Sequence, residues 1–360
     1  MLFQRIRRKI NLKRSGRDQI ERRPLLSSLP IRIHFEVNDW CNLRCIMCAR
    51  QGNDVPRDTG NLPPEILERI SPWLPFAHYV GLAGNGEPFL HPRLFDILEK
   101  LARNRCVPAI VTNATLLTPE RLDHIMSLGP LILNVSMDGA TKKTFDSIRV
   151  GADFDRVTQS LRHLHDMKIR RNTPFPIINF LVCVLKENQH ELPAIIDLAS
   201  SLGVLKVDFQ TVFPFTHEGR NRMITSLDEI EHAVTPAIEK AAGLGIQASL
   251  APLRFGLHER LVRRGENPEI PRPLFCRNIW QTMHVGLDGA VRFCCFWTGK
   301  SIGNLMDEPL PRLWNHPEFQ DLRRRIVMGD LPDDCRDCHV LDIHNPAVLS
   351  SEIRSEMDHL

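Results

Sequence analysis

Between residues 31 and 211, short apolar runs alternate with amphipathic stretches, and this alternation constrains the fold more than any other feature. Alternating strands and helices indicate βα units around a parallel sheet, so the predicted class is α/β. Six units are too few for a closed eight-stranded barrel, which favours a partial barrel or an open sheet. The predicted strands are 31–37, 78–82, 107–112, 131–136, 176–184 and 205–211, and the helices 64–70, 92–104, 119–128, 141–148, 155–167 and 190–202.

The composition is that of a globular protein with a sizeable core. The 360 residues are 42% hydrophobic and 25% charged, which excludes a mostly disordered or collagen-like chain. No apolar run approaches the roughly 18 residues of a membrane-spanning helix, and no secretory signal opens the chain. We therefore expect a cytoplasmic location, where reducing conditions leave the ten cysteines free for metals or catalysis.

The first 30 residues carry the chain's net positive charge and are predicted to form a basic arm. Residues 1–23 hold nine basic and two acidic residues, a net charge of +7, which leaves −4 for the rest of a chain whose total is +3. A total this near neutral gives no indication of a nucleic-acid partner. Leu2, Phe3, Ile6 and Ile10 recur at helical spacing between basic residues, which suggests peripheral membrane contact; the alternative is a solvated arm ending at Pro24.

Three cysteines directly follow the first predicted strand. Cys41, Cys45 and Cys48 have the spacing C-x3-C-x2-C, at the strand end where α/β proteins bind ligands. Structural zinc prefers four protein ligands, whereas a [4Fe–4S] cluster held by three cysteines leaves one iron free for a small molecule. We predict such a cluster; a zinc site or unrelated core cysteines are the alternatives.

With this motif, residues 31 to about 211 resemble the radical S-adenosylmethionine (radical SAM) superfamily. The segment Gly84-Asn85-Gly86-Glu87-Pro88 follows the second strand, where the family has a Gly-Gly-Glu motif, with Asn85 in place of one glycine. The resemblance implies a partial (β/α)6 barrel that binds SAM at a [4Fe–4S] cluster. By the same resemblance, the SAM-binding residues are Met47, Gly84, Gly86, Glu87, Asn113, Ser136, Asp138 and Arg149.

A second set of cysteines lies beyond a bridging segment, residues 212–275. Cys276 and Cys294 flank a predicted hairpin around residues 286–289, and Cys335 and Cys338 follow a predicted helix over 310–327. Residues 276–345 resemble the SPASM domain or its shorter twitch form, and residues 346–360 form a tail. Because no cysteine follows Cys338, we expect one auxiliary [4Fe–4S] cluster bound by these four thiols. Structural zinc is the alternative to the cluster, and Cys295 the alternative to Cys294.

The remaining cysteines and the histidines give weaker signals. Cys106 and Cys183 lie in or beside apolar strands and are predicted to be small core residues. No general base is assigned, since several histidines qualify only by residue type. These are His34, His78, His91, His284, His339 and His344.

The resemblance implies that the chain reductively cleaves SAM to a 5′-deoxyadenosyl radical, which abstracts hydrogen from a substrate. The auxiliary cluster would accept an electron, giving net oxidation of a small polar substrate such as a sugar or aminocyclitol. A low-potential electron donor such as flavodoxin or ferredoxin is implied as a partner. The alternatives are a ribosomal peptide maturase, which would oxidise, epimerise or cross-link its substrate, a lipid-modifying enzyme, and a non-catalytic iron–sulfur or zinc protein.

Overall fold

A ten-stranded sheet organises the protein. The computed structural model describes residues 2–51, 60–211, 217–224, 226–250, 274–295, 297, 299–336, 338 and 341–343. The sheet has the order β11-β10-β9-β1-β2-β3-β4-β5-β6-β7, and β8 pairs separately with β12. The strands are β1 (Arg32–Glu36), β2 (Tyr79–Ala83), β3 (Val107–Thr112), β4 (Ile132–Ser136), β5 (Ile177–Val184), β6 (Lys206–Thr211), β7 (Gln247–Leu250), β8 (Leu274–Cys276), β9 (Thr282–Val285), β10 (Ala290–Arg292), β11 (Gly303–Asn304) and β12 (Leu341–Ile343).

The six predicted βα units are present, which confirms the α/β prediction. Strands β1 to β7 pair in parallel with their neighbours along the chain. Residues that alternate along β1 to β5 are buried against the helices or partly exposed towards the lumen. The helices are α1 (Leu2–Ile20), α2 (Pro64–Ile70), α3 (Leu94–Arg103), α4 (Pro119–Ser127), α5 (Lys142–Ile148), α6 (Phe154–Arg170), α7 (Leu192–Ser201), α8 (His217–Arg222), α9 (Leu227–Gly243), α10 (Arg277–Gln281), α11 (Leu310–Trp314), α12 (Pro317–Met328) and α13 (Asp333–Arg336).

The hairpin beyond the bridging segment is continuous with the barrel sheet. Strand β9 pairs in parallel with β1, and β10 turns back beside β9. At the other edge, β7 adds a strand next to β6. The helix predicted over 310–327 is instead two helices, α11 and α12, because Pro317 begins a new helix at its first turn. Trp280 lies in α10, directly before β9.

Residues 2–20 form a helix that packs against the protein, which differs from the solvated arm considered as the alternative. The guanidinium of Arg8 donates to the carbonyl of Arg105 at 2.6 Å, and the Asn11 amide donates to the carbonyls of Leu29 and Phe76 at 3.1 Å each. Asp18, fully buried, accepts hydrogen bonds from the two serines at 27 and 28. The helix is held by polar contacts, which hydrophobic periodicity does not reveal.

Two further observations bear on the sequence predictions. No helix among the described residues is long and apolar enough to cross a membrane. His339, His344, the tail 346–360 and most of the proline-rich part of the bridging segment lie outside the described residues. The domain limits drawn from sequence stay predictions.

Candidate active site

The first three cysteines share one loop at the carboxyl end of β1. Their thiols are free and lie close enough to affect one another's pKa. Cys41 raises the pKa of Cys45, and Cys45 raises the pKa of Cys48. Burial raises the pKa of each thiol above its ordinary value. Without a metal, this environment disfavours thiolates; iron would reverse that preference, since metals bind the deprotonated form.

The glycine-rich segment after β2 lies directly against this loop. The backbone N–H of Gly86 donates to the Asn38 carbonyl at 3.2 Å, and that of Glu87 to the Trp40 carbonyl at 2.6 Å. A Cβ on Gly86 would come within 2.3 Å of Asn38 Oδ1 and 2.5 Å of the Trp40 carbonyl. Gly84 has a φ of +155°. Glycine is thus required where two loops approach, as the family motif implied.

The buried Glu87 carboxylate connects its own loop to the end of β3 through hydrogen bonds. Its carboxylate accepts from Thr112 Oγ1 at 2.7 Å, from the Asn113 backbone N–H at 2.7 Å and from the Phe89 N–H at 3.2 Å. Burial raises its pKa, and these three hydrogen bonds partly offset the effect. Because both carboxylate oxygens already accept from the chain, the backbone carbonyls of residues 84–86 are the better acceptors for a ligand's ammonium group.

A buried ion pair lies behind Cys45. Arg149 Nε is 2.7 Å from Asp138 Oδ2, and Arg149 Nη1 is 3.8 Å from Cys45 Sγ. The other Asp138 oxygen accepts from the Cys183 backbone N–H at 2.7 Å. Burial alone would lower the pKa of Arg149, but the facing Asp138 and the nearby thiols raise it. The guanidinium predicted to reach the SAM carboxylate is therefore anchored on Asp138 beside the cysteine loop.

The remaining predicted SAM-binding residues surround the same loop. The Asn113 side chain donates to Asn42 Oδ1 at 3.1 Å and contacts Cys41 Sγ at 3.8 Å. Ser136 ends β4 on its partly exposed face. Met47 packs in a small apolar cluster with Leu43, Cys45, Ile148 and Leu185.

Cys183 is a neighbour of the site that sequence reasoning placed in the core. It ends β5 on the partly exposed face and packs against the small cluster that contains Cys45. Burial raises its pKa to about 12, and it interacts electrostatically with Asp138, Arg149, Cys45 and Cys48. The sequence alone does not show that Cys183 lies near Cys45. The two cysteines meet because the carboxyl ends of the parallel strands β1 and β5 lie at the same edge of the sheet.

Pairing of β12 with β8 assembles the second cysteine set. Leu341 lies opposite Cys276, and Cys338 precedes Leu341 by three residues. Burial is the main reason that the pKa of the Cys276 thiol is raised to about 12. The nearby thiols of Cys338 and Cys335 raise it as well. Backbone N–H groups of Ile279 and Asn278 donate to the Cys276 sulfur, an arrangement that favours a thiolate.

The structure leaves both adjacent thiols as candidates for the fourth ligand. Cys295 lies close enough to Cys338 and Glu36 for both groups to raise the pKa of its thiol. Cys294 follows β10 and is partly buried. Among the described residues, no three His, Cys, Asp or Glu side chains meet at the distances a single metal ion requires. Both cysteine sets consist of free thiols, which are the ligands that iron–sulfur clusters take.

Two of the candidate histidines meet in the barrel lumen. His34 on β1 lies opposite His284 on β9, with ring centroids 5.1 Å apart. Gly81 on β2 makes room for the His34 ring, since a Cβ there would lie 2.7 Å from Nδ1. Both nitrogens of His284 are buried without a hydrogen-bond partner among the described residues. By contrast, His78 and His91 are buried outside the lumen, near α1 and α3 respectively.

The histidine pair predicts a loss of stability in mild acid. Burial lowers the pKa of His34 to about 4 and of His284 to about 3. Histidine in the unfolded chain has a pKa near 6.5, so the unfolded state binds protons first as the pH falls. The free energy of unfolding therefore decreases below about pH 6.5. Between pH 7 and pH 5 we expect a loss of about 2 kcal/mol per imidazole. Urea titrations at both values should show a smaller loss in His34→Gln/His284→Gln.

The exposed His190 supplies the control for this measurement. His190→Gln should leave the pH dependence of the urea midpoint as it is in the wild type. An undiminished fall between pH 7 and pH 5 in the double variant would contradict a buried, neutral pair.

Comparison with known proteins agrees with this geometry. The family model of the radical SAM superfamily matches residues 35–199, and that of the iron–sulfur cluster-binding SPASM domain matches residues 276–339. The tungsten-containing aldehyde ferredoxin oxidoreductase cofactor-modifying protein of Pyrococcus furiosus is 24% identical over 325 residues, covering 86% of this chain and 87% of that protein. The Fe-coproporphyrin III synthase of Methanosarcina barkeri is 26% identical over 331 residues, covering 85% and 79%.

A solved structure shares the fold. Streptococcus suis SuiB bound to precursor peptide SuiA superposes with a TM-score of 0.67 at 15% identity, covering 91% of this chain and 74% of that one. The domain matches imply SAM with a [4Fe–4S] cluster in the barrel and auxiliary iron–sulfur binding beyond it. Residues 35–199 belong to the radical SAM superfamily and residues 276–339 to the SPASM family, so the protein is a radical SAM enzyme with a SPASM domain.

Proposed function

We propose that this enzyme oxidises a small polar substrate held in the barrel lumen, between the Cys41, Cys45 and Cys48 loop and one auxiliary [4Fe–4S] cluster. SAM bound at the first cluster supplies, on reduction, the radical that removes hydrogen from a substrate carbon. The substrate then loses a second electron to the auxiliary cluster and a proton, which gives net two-electron oxidation. A low-potential flavodoxin or ferredoxin supplies the electron that starts the cycle.

Unsatisfied polar atoms in the lumen are the observation that carries this proposal. Both His284 nitrogens and Asn179 Oδ1 are buried without partners among the described residues. Asn179 Nδ2 donates to Asn134 Oδ1 at 3.1 Å, which fixes the free oxygen in place. Buried polar atoms nearly always have a hydrogen-bond partner in the functional state, and hydroxyl or amino groups of a substrate would provide it here.

The lumen wall is shared between the barrel and the SPASM region, which supports electron transfer through the substrate. His284 and Arg292 belong to the hairpin and pair in register, while Glu36 belongs to β1. Arg292 lowers the pKa of Glu36, which burial raises. Cys295 interacts with the same Glu36. Cys295 of the second cysteine set therefore reaches the strand, β1, whose His34 lies opposite His284.

The chain's own residues bind and orient the reactants. Asp138 holds Arg149 beside Cys45, where the guanidinium can meet a carboxylate of SAM. The loop of residues 84–86 lies beside the segment that leads into the cysteine loop, and its backbone carbonyls can accept from the ammonium group of SAM. Neutral His34 and His284 each offer one donor and one acceptor to the substrate.

Anaerobic reconstitution followed by mass spectrometry tests this function. Release of 5′-deoxyadenosine on reduction would separate an enzyme from a non-catalytic cluster or zinc protein. Candidate sugars, aminocyclitols and peptides carrying deuterium at carbon would then be compared. Deuterium transfer into 5′-deoxyadenosine from a polyol or aminocyclitol, with a carbonyl product, supports the proposal; transfer only from a peptide or lipid contradicts it.

Loss of the auxiliary cluster should separate SAM cleavage from substrate oxidation. Cys276→Ser is expected to lower the iron content from about eight to about four per chain. We expect 5′-deoxyadenosine release to stay within about twofold, while oxidised product falls at least about 100-fold because the second electron has no acceptor. Iron analysis and product quantification measure both. Undiminished oxidation would contradict the electron-acceptor role.

The adjacent thiols provide a matched pair for the same assay. Cys294→Ser and Cys295→Ser make the same chemical change at neighbouring positions. The variant of the true ligand should lose the four auxiliary irons, and the other should keep them. Iron near four with one zinc in the wild type would contradict an auxiliary cluster.

A peptide maturase is the second candidate. The fold is shared with SuiB, whose structure holds the precursor peptide SuiA. A match of 26% identity over 178 residues to the mycofactocin maturase MftC of Mycobacterium tuberculosis points the same way, although it covers only 48% of this chain. The match to Fe-coproporphyrin III synthase, over 85% of this chain and 79% of that protein, makes a tetrapyrrole a third substrate class for the deuterium assay.

A further inference from the structure

Helix α1 is fixed to the protein largely through buried polar side chains, although Leu12 is also buried. Its inner side is hydrogen bonded through Arg8, Asn11 and Asp18, all of which are buried. Ile6 and Ile10, one turn apart, face outward and are 44% and 46% exposed. The two isoleucines form an adjacent pair of exposed apolar side chains on the outward side of the helix.

Cations surround the two isoleucines. We call the outward side of α1 the basic face. Its exposed residues are Arg5, Ile6, Arg7, Lys9, Ile10, Lys13, Arg14 and Arg17. Arg17 lies 3.9 Å from Glu21. Within the described parts of the chain, none of the other five cations forms an ion pair with a carboxylate. The basic face therefore has an unbalanced positive charge, while residues 24–360 are net negative.

The basic face is remote from the barrel mouth. Arg8 contacts the carbonyls of Asn104 and Arg105, just before β3, and Asn11 contacts that of Phe76, before β2. These are the amino ends of the parallel strands, whereas Cys41 to Cys48 follow the carboxyl end of β1. A five-residue strand is about 17 Å long. An electron donor bound here would face away from the first cluster.

We propose that the basic face docks on an anionic phospholipid bilayer, with Ile6 and Ile10 entering the headgroup region. Six cations around two apolar side chains match the chemistry of a negatively charged lipid surface. A purely anionic partner such as nucleic acid would leave the isoleucines uncovered. In this orientation the barrel mouth faces away from the bilayer, open to a water-soluble substrate and to the electron donor.

Cosedimentation of the full-length, reconstituted enzyme with vesicles tests the proposal. The wild type should bind phosphatidylcholine vesicles that contain about 30 mol% phosphatidylglycerol, and bind pure phosphatidylcholine weakly. Raising the salt to about 0.5 M should release it. Lys9→Glu/Lys13→Glu should lower partitioning at least about 30-fold, and Ile6→Ser/Ile10→Ser about tenfold.

Helix α6 offers matched controls. Arg162→Glu/Arg170→Glu makes the same charge change on an exposed surface, and Ile169→Ser removes an isoleucine that is 65% exposed. Both should bind vesicles within about twofold of the wild type. Partitioning is independent of catalysis, so this test stands whatever the substrate is.

Three results would overturn the proposal. The first is a wild type that does not bind anionic vesicles. The second is an equal loss of binding in the α6 variants, or no loss in the α1 variants. The third is binding to an acidic flavodoxin that Lys9→Glu/Lys13→Glu abolishes while vesicles stay unbound, which would assign the basic face to a protein partner.

Discussion

Replacement of Cys45 by serine is expected to lower the rate of 5′-deoxyadenosine release by about a thousandfold or more, equivalent to roughly 4 kcal/mol of activation free energy. Cys45 is predicted to be one of three protein ligands for the first cluster, and Arg149 lies 3.8 Å from its sulfur. A cubane held by two thiolates would not keep an iron positioned for SAM. Anaerobic iron analysis should show a fall from about eight to about four irons per chain.

Cys183→Ser is the matched control because Cys183 interacts electrostatically with Cys45 and Cys48 and packs against the same small cluster. We expect this variant to keep its iron and to release 5′-deoxyadenosine within about threefold of the wild type, since a serine at this position retains the backbone contact to Asp138. Loss of iron in Cys183→Ser would show that a fourth thiol closes the first cluster, and would contradict an open iron for SAM.

The barrel strands could be predicted from sequence because their two faces differ in burial. Along β5, residues alternate between fully buried and partly exposed positions, and the prediction of 176–184 differs from Ile177–Val184 by one residue. For α1 the same reasoning found the helical spacing but not the packing, which rests largely on buried polar side chains. Hydrophobic spacing placed Ile6 and Ile10 on one face of the helix. It did not show which contacts attach the opposite face to the protein.

Pairings between distant parts of the chain were beyond the sequence. The motif around Glu87 identified the loop. It did not show that the Glu87 carboxylate accepts hydrogen bonds from Thr112 and the Asn113 backbone. The hairpin was predicted, yet its pairing with β1, which places His284 beside His34, is set by the closing of the sheet. Local composition has no information on such contacts, since residues about 250 positions apart meet only in the folded state.

Asp138→Asn is expected to destabilise the protein by about 3–5 kcal/mol, the largest effect among the substitutions outside the clusters. Asparagine keeps the shape and can still accept from the Cys183 N–H, so the change isolates the loss of charge. It leaves the Arg149 guanidinium buried without its carboxylate, 2.7 Å away in the wild type. Anaerobic urea titration measures the change in unfolding free energy.

A double-mutant cycle with Arg149→Met separates the ion pair from the individual desolvation costs. Because each single variant leaves one buried charge unpaired, Asp138→Asn/Arg149→Met should be more stable than the sum of the two single losses by about 2–3 kcal/mol. The exposed pair Arg93 and Asp96 is the reference, where Asp96→Asn should cost less than about 1 kcal/mol. Additive losses at Asp138 and Arg149 would contradict a coupled pair. In that event Arg149 would be free to reorient, and its position beside Cys45 would no longer be fixed by Asp138.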